Sequence, residues 1–265
     1  MAAMGEPKIS QGANWLGLWT LYTREVRRFI KVYNQTVLAP VVTILIYLAI
    51  FALALGETAK TAESLSFLEF LAPGLVAMAI AQNAFANTSS SLIIAKVQGN
   101  IVDTLMPPLS ANELTCGLAL GGMTRGLAVG AVALSIIAFF VRIHIADWRI
   151  MLFFGIHAAL MLSLLGIIAG IWAEKFDHIA SVTNYIIIPL SLLSGTFFSI
   201  ERLPVLLQHL AHLDPFFYMI DGFRFGVLGH ADMSPWIGGI FLTLTNAALW
   251  ALCYRMFATG YRLKA

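Results

Sequence analysis

The sequence predicts an all-α integral membrane protein. It has six transmembrane helices, an N-terminal amphipathic interfacial helix, and an extracytoplasmic re-entrant helical hairpin before the last span. Three observations predict this. Of 265 residues, 59% are hydrophobic and only 11% charged, against about half and about a quarter in soluble domains, and mean hydropathy is +0.83. Six runs meet the ~20 apolar residues needed to cross ~30 Å of hydrocarbon. The segments between them are short and polar, except for one long, greasy stretch before the sixth run.

Residues 1–36 form a polar arm, too long and too charged to read as a cleaved leader. Within it, Trp15, Leu18, Trp19, Tyr22, Val26, Phe29 and Tyr33 recur at steps of three and four. Arg24, Arg27, Arg28 and Lys31 lie off that face. A Trp-bearing apolar stripe with a basic flank describes a helix lying in the headgroup plane. Such a helix serves either as an anchor or as a support for a partner at the membrane surface.

The spans read as Val37 to Leu55, Phe67 to Ile94, Leu114 to Val141, Ile150 to Ala173, Ile179 to Ile200 and Pro235 to Ala258. They make one domain over residues 37–258, followed by a tail at 259–265. Pro40 falls in the first turn of span one, where a missing N–H costs little. An even number of spans puts both ends on one side. The arm, the second and fourth loops and the tail hold ten Lys and Arg, against five on the other side. Both termini are therefore expected in the cytoplasm.

In span three, Gly122, Gly126 and Gly130 repeat every four residues and form a smooth stripe for close helix approach, either within the chain or between subunits. Gly166 to Gly170 does the same in span four. Arg125 fits a residue snorkelling to the inner boundary, or one facing a translocation path. Gln82, Asn83, Asn87 and Asn246 suit hydrogen bonds between helices, and His157 suits packing, since no second ligand stands at i+3 or i+4.

The stretch after span five contains Glu201 and Pro204, then the stripe Leu203, Leu206, Leu207, Leu210 and Leu213, stopped by Asp214 and Pro215. A second apolar helix, Phe216 to Leu228, carries Asp221 and Arg224. Neither piece is long enough to span, so a re-entrant or interfacial hairpin is expected. Asp221 and Arg224, at i and i+3, are placed to pair. His209, His212 and Asp214 carry only a weak metal signal among packing leucines.

The composition excludes several functions. A net charge of +2 offers no nucleic-acid surface. Cys116 and Cys253 have no metal or disulfide spacing. Neither a phosphate-binding loop nor a G-x-S-x-G elbow occurs, so any driven work needs an energy source on another subunit. Two other classes remain for comparison. An ion-coupled secondary transporter calls for carboxylates at the membrane centre, and an intramembrane enzyme calls for a nucleophile–base pair at matched depth. The spans supply neither clearly.

Three motifs, in order, carry a resemblance: "EFLAPGLVAMA" (Glu69 to Ala79), "GNIVDTLMPPLSANE" (Gly99 to Glu113) and the stretch opening "SGTFFSIERLP" and closing "DGFRFGVLG" (Ser194 to Gly229). Together they resemble the transmembrane permeases of ABC-2-type transporters, which serve polysaccharide, nodulation-factor and daunorubicin export, and are closest to the YadH-type branch. The resemblance covers nearly the whole chain. It implies an exporter permease that forms a homodimer or pseudo-dimer with a second permease subunit and docks two cytosolic ABC ATPase subunits. ATP and Mg would sit on those subunits, with no cofactor on this chain. It also implies that the first cytosolic loop, Val97 to Met106, is a coupling helix ended by Pro107 and Pro108. Its contacts would be Gln98, Asn100, Ile101, Asp103, Thr104, Leu105 and Met106. The arm helix, with Trp15, Trp19, Arg24, Arg27 and Arg28, would be a second ATPase-facing element, and the outer hairpin would close the far side.

Overall fold

The computed structural model describes residues 13–55, 66–200 and 203–263. Among these the chain is helical, and six helices are long and apolar enough to cross a membrane. Glu201 and Arg202 of the hairpin, Lys60 of the first loop and Lys264 of the tail lie outside the described residues.

The amphipathic helix α1 (Trp15–Ile30) is capped by the Asn14 side chain, which accepts from the Gly17 N–H at 2.9 Å. The first span is a π-helical stretch, Asn34–Leu38, continued by α2 (Ala39–Leu55). The fifth is built alike: α7 (Phe176–Val182), a π-helical stretch Thr183–Ile187, then α8 (Ile188–Leu193). Each π stretch ends two residues before a proline, Pro40 and Pro189. A proline ring crowds the carbonyl four residues back and leaves it without a donor, and one widened turn relieves that conflict. Pro40 therefore lies well inside the first span, not in its first turn.

The bundle is built around α3 (Phe67–Val97), which packs along α5 (Ala111–Ile137) and α6 (Trp148–Trp172). Glycines set these contacts. A Cβ on Gly126 would meet the Ile80 carbonyl at 2.5 Å, one on Gly122 the Ser163 hydroxyl at 2.5 Å, and one on Gly130 the Ile80 side chain at 2.3 Å. Gly166 and Gly170 of α6 likewise face Thr88 and Leu92 of α3. The stripe thus faces neighbouring helices of the same chain, α3 and α6. α11 (Pro235–Thr259) closes against α6 and α5.

Two apolar clusters result. The larger fills the middle and one end of the bundle. The smaller joins Leu21 of α1, Ile101, Leu118, Ile171 and Leu263 at the other end. Both ends of the described chain meet there: Arg262 donates to the Trp172 carbonyl at 3.1 Å. Outward-facing apolar side chains such as Leu53 and Trp236 are more than 80% exposed, the surface a bilayer covers.

The fifth span is shorter than its apolar run suggests. Helix ends at Leu193, and residues 194–200 form a turn with Gly195 at φ +77°. Thr196 donates its hydroxyl to the Ser191 carbonyl at 2.7 Å, and Ser194 donates to Asp214 at 2.8 Å. These side chains compete with helix continuation.

Candidate functional site

At the end where both termini gather, α3 stops at Val97. The backbone reverses through Gly99, at φ +74°, and re-enters the short helix α4 (Ile101–Leu105). The expected coupling helix is therefore five residues plus its caps and starts after the turn, since the left-handed Gly99 interrupts it. Two of its expected contact residues point inward: Ile101 is 3% exposed and Thr104 is 5% exposed. Leu105 is partly buried. Gln98, Asn100, Val102, Asp103 and Met106 face out, Met106 at 75%. The outward face of α4 thus carries Val102, Asp103 and Met106, while Ile101 holds the helix to the bundle.

Beyond the prolines, Ser110 and Glu113 make a capping box: the Ser110 N–H donates to Glu113 at 2.7 Å and the Glu113 N–H to Ser110 at 3.3 Å. The backbone N–H of Asn14 also donates to Glu113, so the starts of α1 and α5 are joined.

α1 is turned differently from its apolar stripe. Trp15 and Trp19 are 73% and 64% exposed, while Leu21, Glu25 and Phe29 are buried. Glycines at 117 and 121 admit Leu21 and Glu25. Glu25, which the pattern did not single out, is the polar centre of this end. It accepts from Arg24 at 3.1 Å, from Ser91 at 2.8 Å, and from Arg28 at 3.3 Å. Arg24 continues to the Thr104 hydroxyl of α4 at 3.0 Å, and Arg28 to the Asn87 side chain at 3.0 Å and Ser90 at 3.0 Å on α3. One carboxylate therefore ties the amphipathic helix, α4 and α3 together. Arg27 stays exposed. Arg125 donates to Asn83 at 3.1 Å, one turn from Asn87.

Lys96, expected in a loop, ends α3 and donates to the carbonyls of Ile171 at 2.7 Å and Ala173 at 2.6 Å. It caps the far end of α6. Within the bundle, Asn246 donates to the His157 carbonyl at 3.2 Å, and His157 stacks on Phe153 at 4.0 Å.

At the opposite end, α9 (Val205–Leu213) starts after Pro204, and α10 (Pro215–Leu228) follows at once. Asp214 caps α10, accepting from the Phe216 N–H at 2.9 Å, with Pro215 at the first helical position. α10 lies tight on α6: a Cβ on Gly226 would reach the Met151 backbone at 2.3 Å.

Asp221 and Arg224 do not pair with each other, as their spacing suggested. Asp221 accepts the N–H groups of Asp232 at 2.9 Å and Met233 at 3.0 Å. Arg224 donates to the Gly195 carbonyl at 2.6 Å and stacks over Phe70 at 3.9 Å. Tertiary partners satisfy each group more fully than a neighbour one turn away. Burial pushes the carboxyls of Asp214 and Asp221 up to about 6, against backbone donors that pull them down. Gly74 leaves room for Thr196 and Arg224, so the first and third sequence motifs meet here. Arg224→Lys keeps the charge but loses the flat guanidinium. We expect it to cost about 2 kcal/mol, seen as a lower Tm in detergent with ATPase association unchanged.

A groove of about 620 Å³ runs between α2, α3 and the fifth span. Met78, Gln82, Ala86 and Ser90 line it at four-residue steps.

Six helices are long and apolar enough to cross a membrane, and three of them, the first span, α3 and the fifth span, wall the groove. The signature of the ABC-2 type transporter family matches residues 17–228, and the chain belongs to that family. It is the multi-pass inner-membrane subunit of an ABC exporter, and membership implies an ABC ATPase partner. Over 251 residues it is 34% identical to the inner membrane transport permease YadH of Escherichia coli (strain K12), covering 95% of this chain and 98% of that protein. It is also 24% identical over 239 residues to nodulation protein J of Neorhizobium galegae, covering 86% and 87%. With nodulation protein J of Rhizobium leguminosarum bv. viciae it shares 25% over 223 residues, covering 82% and 83%.

Proposed function

We propose that two copies of this chain form the export path and that two cytosolic ABC ATPase subunits drive it, each docking at α4 and α1. The observation that carries this is α4 itself: a helix anchored by Ile101 and braced by Arg24 on Thr104, with Val102, Asp103 and Met106 turned outward. A mere connector has no need of such bracing. ATP and Mg bind the partner, and this chain holds no cofactor.

Both termini and α4 face the cytoplasm, in keeping with the excess of Lys and Arg at that end. The α9–α10 hairpin is re-entrant and closes the path on the outer side. α2 and the fifth span, the least covered of the six, meet the second permease copy, so that the groove beside α3 becomes an enclosed path. Gln82 and Ser90 then face the cargo.

Co-expression with a cytosolic ABC ATPase from the same genome tests the reading. The two should purify together, and the permease should stimulate ATP hydrolysis. A chain that stays alone, or transport that ignores ATP and follows an ion gradient, overturns it in favour of a secondary transporter. So does labelling of residues 98–106 from the extracytoplasmic face.

A further inference from the structure

We propose that the open cavity between α1, α3, α4 and α5 binds the phosphate of a membrane amphiphile, with Arg24, Arg28 and Arg125 as its anion-facing groups. The cavity holds about 990 Å³. Five cationic side chains line it, those three with Arg27 and Lys31, against two acidic ones, Glu25 and Asp103. Glu25 is fully engaged: both its oxygens already accept from arginines or Ser91. Positive charge is therefore in excess at the wall.

Donors are in excess too. Among the described residues, buried polar atoms without a hydrogen-bond partner include Arg125 Nε, Asn87 Nδ2 and Thr23 Oγ1. Thr23 and Arg125 line the cavity, and the oxygen of Asn87 is held by Arg28 behind it. The first two atoms can only donate, and a buried donor calls for an acceptor. An oxyanion with several oxygens meets guanidinium forks and the Thr23 hydroxyl at once, which is the geometry of phosphate recognition.

The remaining wall is apolar. Phe29, Ile94, Trp19 and Val32 line it, and the last two are 64% and 47% exposed toward the surroundings of α1. An acyl chain can lie there while its headgroup reaches the arginines. The bonds of Arg125 to Asn83 and of Arg28 to Ser90 end on side chains that line the α3 groove from its other side. A ligand here is thus one side chain away from the path.

Full-length protein in a neutral detergent, titrated with dihexanoyl phosphatidylglycerol, dihexanoyl phosphatidylcholine and inorganic phosphate, tests this. We expect the phosphatidylglycerol to bind about tenfold more tightly than the phosphatidylcholine, and Arg125→Gln to remove about that factor. Arg149→Gln, on the opposite end, should leave binding unchanged. If inorganic phosphate competes, the anion alone suffices and the source can be soluble. If it does not, recognition belongs to a membrane lipid. Should Arg125→Gln fail to fold, Arg24→Gln, 45% exposed at the rim, carries the same expectation. Equal binding of the two lipids, or unchanged binding in the arginine variants, overturns the site. Binding is read without an ATPase, so the outcome is separate from that of the export test.

Discussion

Gly126→Leu should collapse the α3–α5 contact, lowering stability by about 3 kcal/mol or more. A Cβ alone would sit 2.5 Å from the Ile80 carbonyl and 3.0 Å from the Ala84 Cβ. The nearest obstacle is backbone, which no rotamer change can move, so two central helices must part along their length. Better helix propensity returns about 1 kcal/mol at most. Thermal unfolding in detergent should show a Tm roughly 6–12 °C lower, with Gly126→Ala in the same direction and smaller. Gly155→Ala is the matched control. Its Cβ meets only ordinary contacts, from 3.4 Å outward, so its Tm should hold or rise slightly. Equal effects at 126 and 155 would show that backbone proximity is not what the glycine stripe provides.

The paired substitution Val102→Arg with Met106→Arg should abolish ATPase association while sparing the fold. These side chains are 54% and 75% exposed, and surface changes of this kind cost little stability. Two apolar anchors at the centre of a small interface, by contrast, supply most of its binding energy. Asp103→Lys should give the milder form of the defect, with ATP hydrolysis retained and transport lost. Ile101→Ala should behave in the opposite way. It empties a buried site and should cost about 2–4 kcal/mol, yet leave the outward face chemically intact. Co-purification measured beside Tm separates the two classes. Association that survives the double arginine variant would remove α4 from the interface.

The six spans were legible because lipid demands a continuous apolar run, a signal carried locally by each helix. The glycine stripe could be read for the same reason, since a four-residue repeat is visible without knowing its neighbour. Glu25 could not. A single acid among the four cations Arg24, Arg27, Arg28 and Lys31 looks like part of a solvated face, and Ser91, one of its partners, lies 66 residues away. Asp221 and Arg224 show the reverse failure. Their spacing announced a pair, and distant backbone groups claimed both. At α4, the resemblance implied a helix but not which side of it faces the bundle, and Ile101 and Thr104 turned inward. The turn at residues 194–200 escaped notice because Thr196 and Ser194 stop the helix through hydrogen bonds that hydropathy does not register.

α3 is unbroken from the Phe70 contact with Arg224 to the turn that launches α4. Its 31 residues make a shaft about 46 Å long, half again the depth of the oil it crosses. Levered about its middle, such a shaft reverses direction. A tilt of ~5° that pushes its α4 end one way swings the far end ~2 Å the other, toward or away from the residues 194–200 that Arg224 holds.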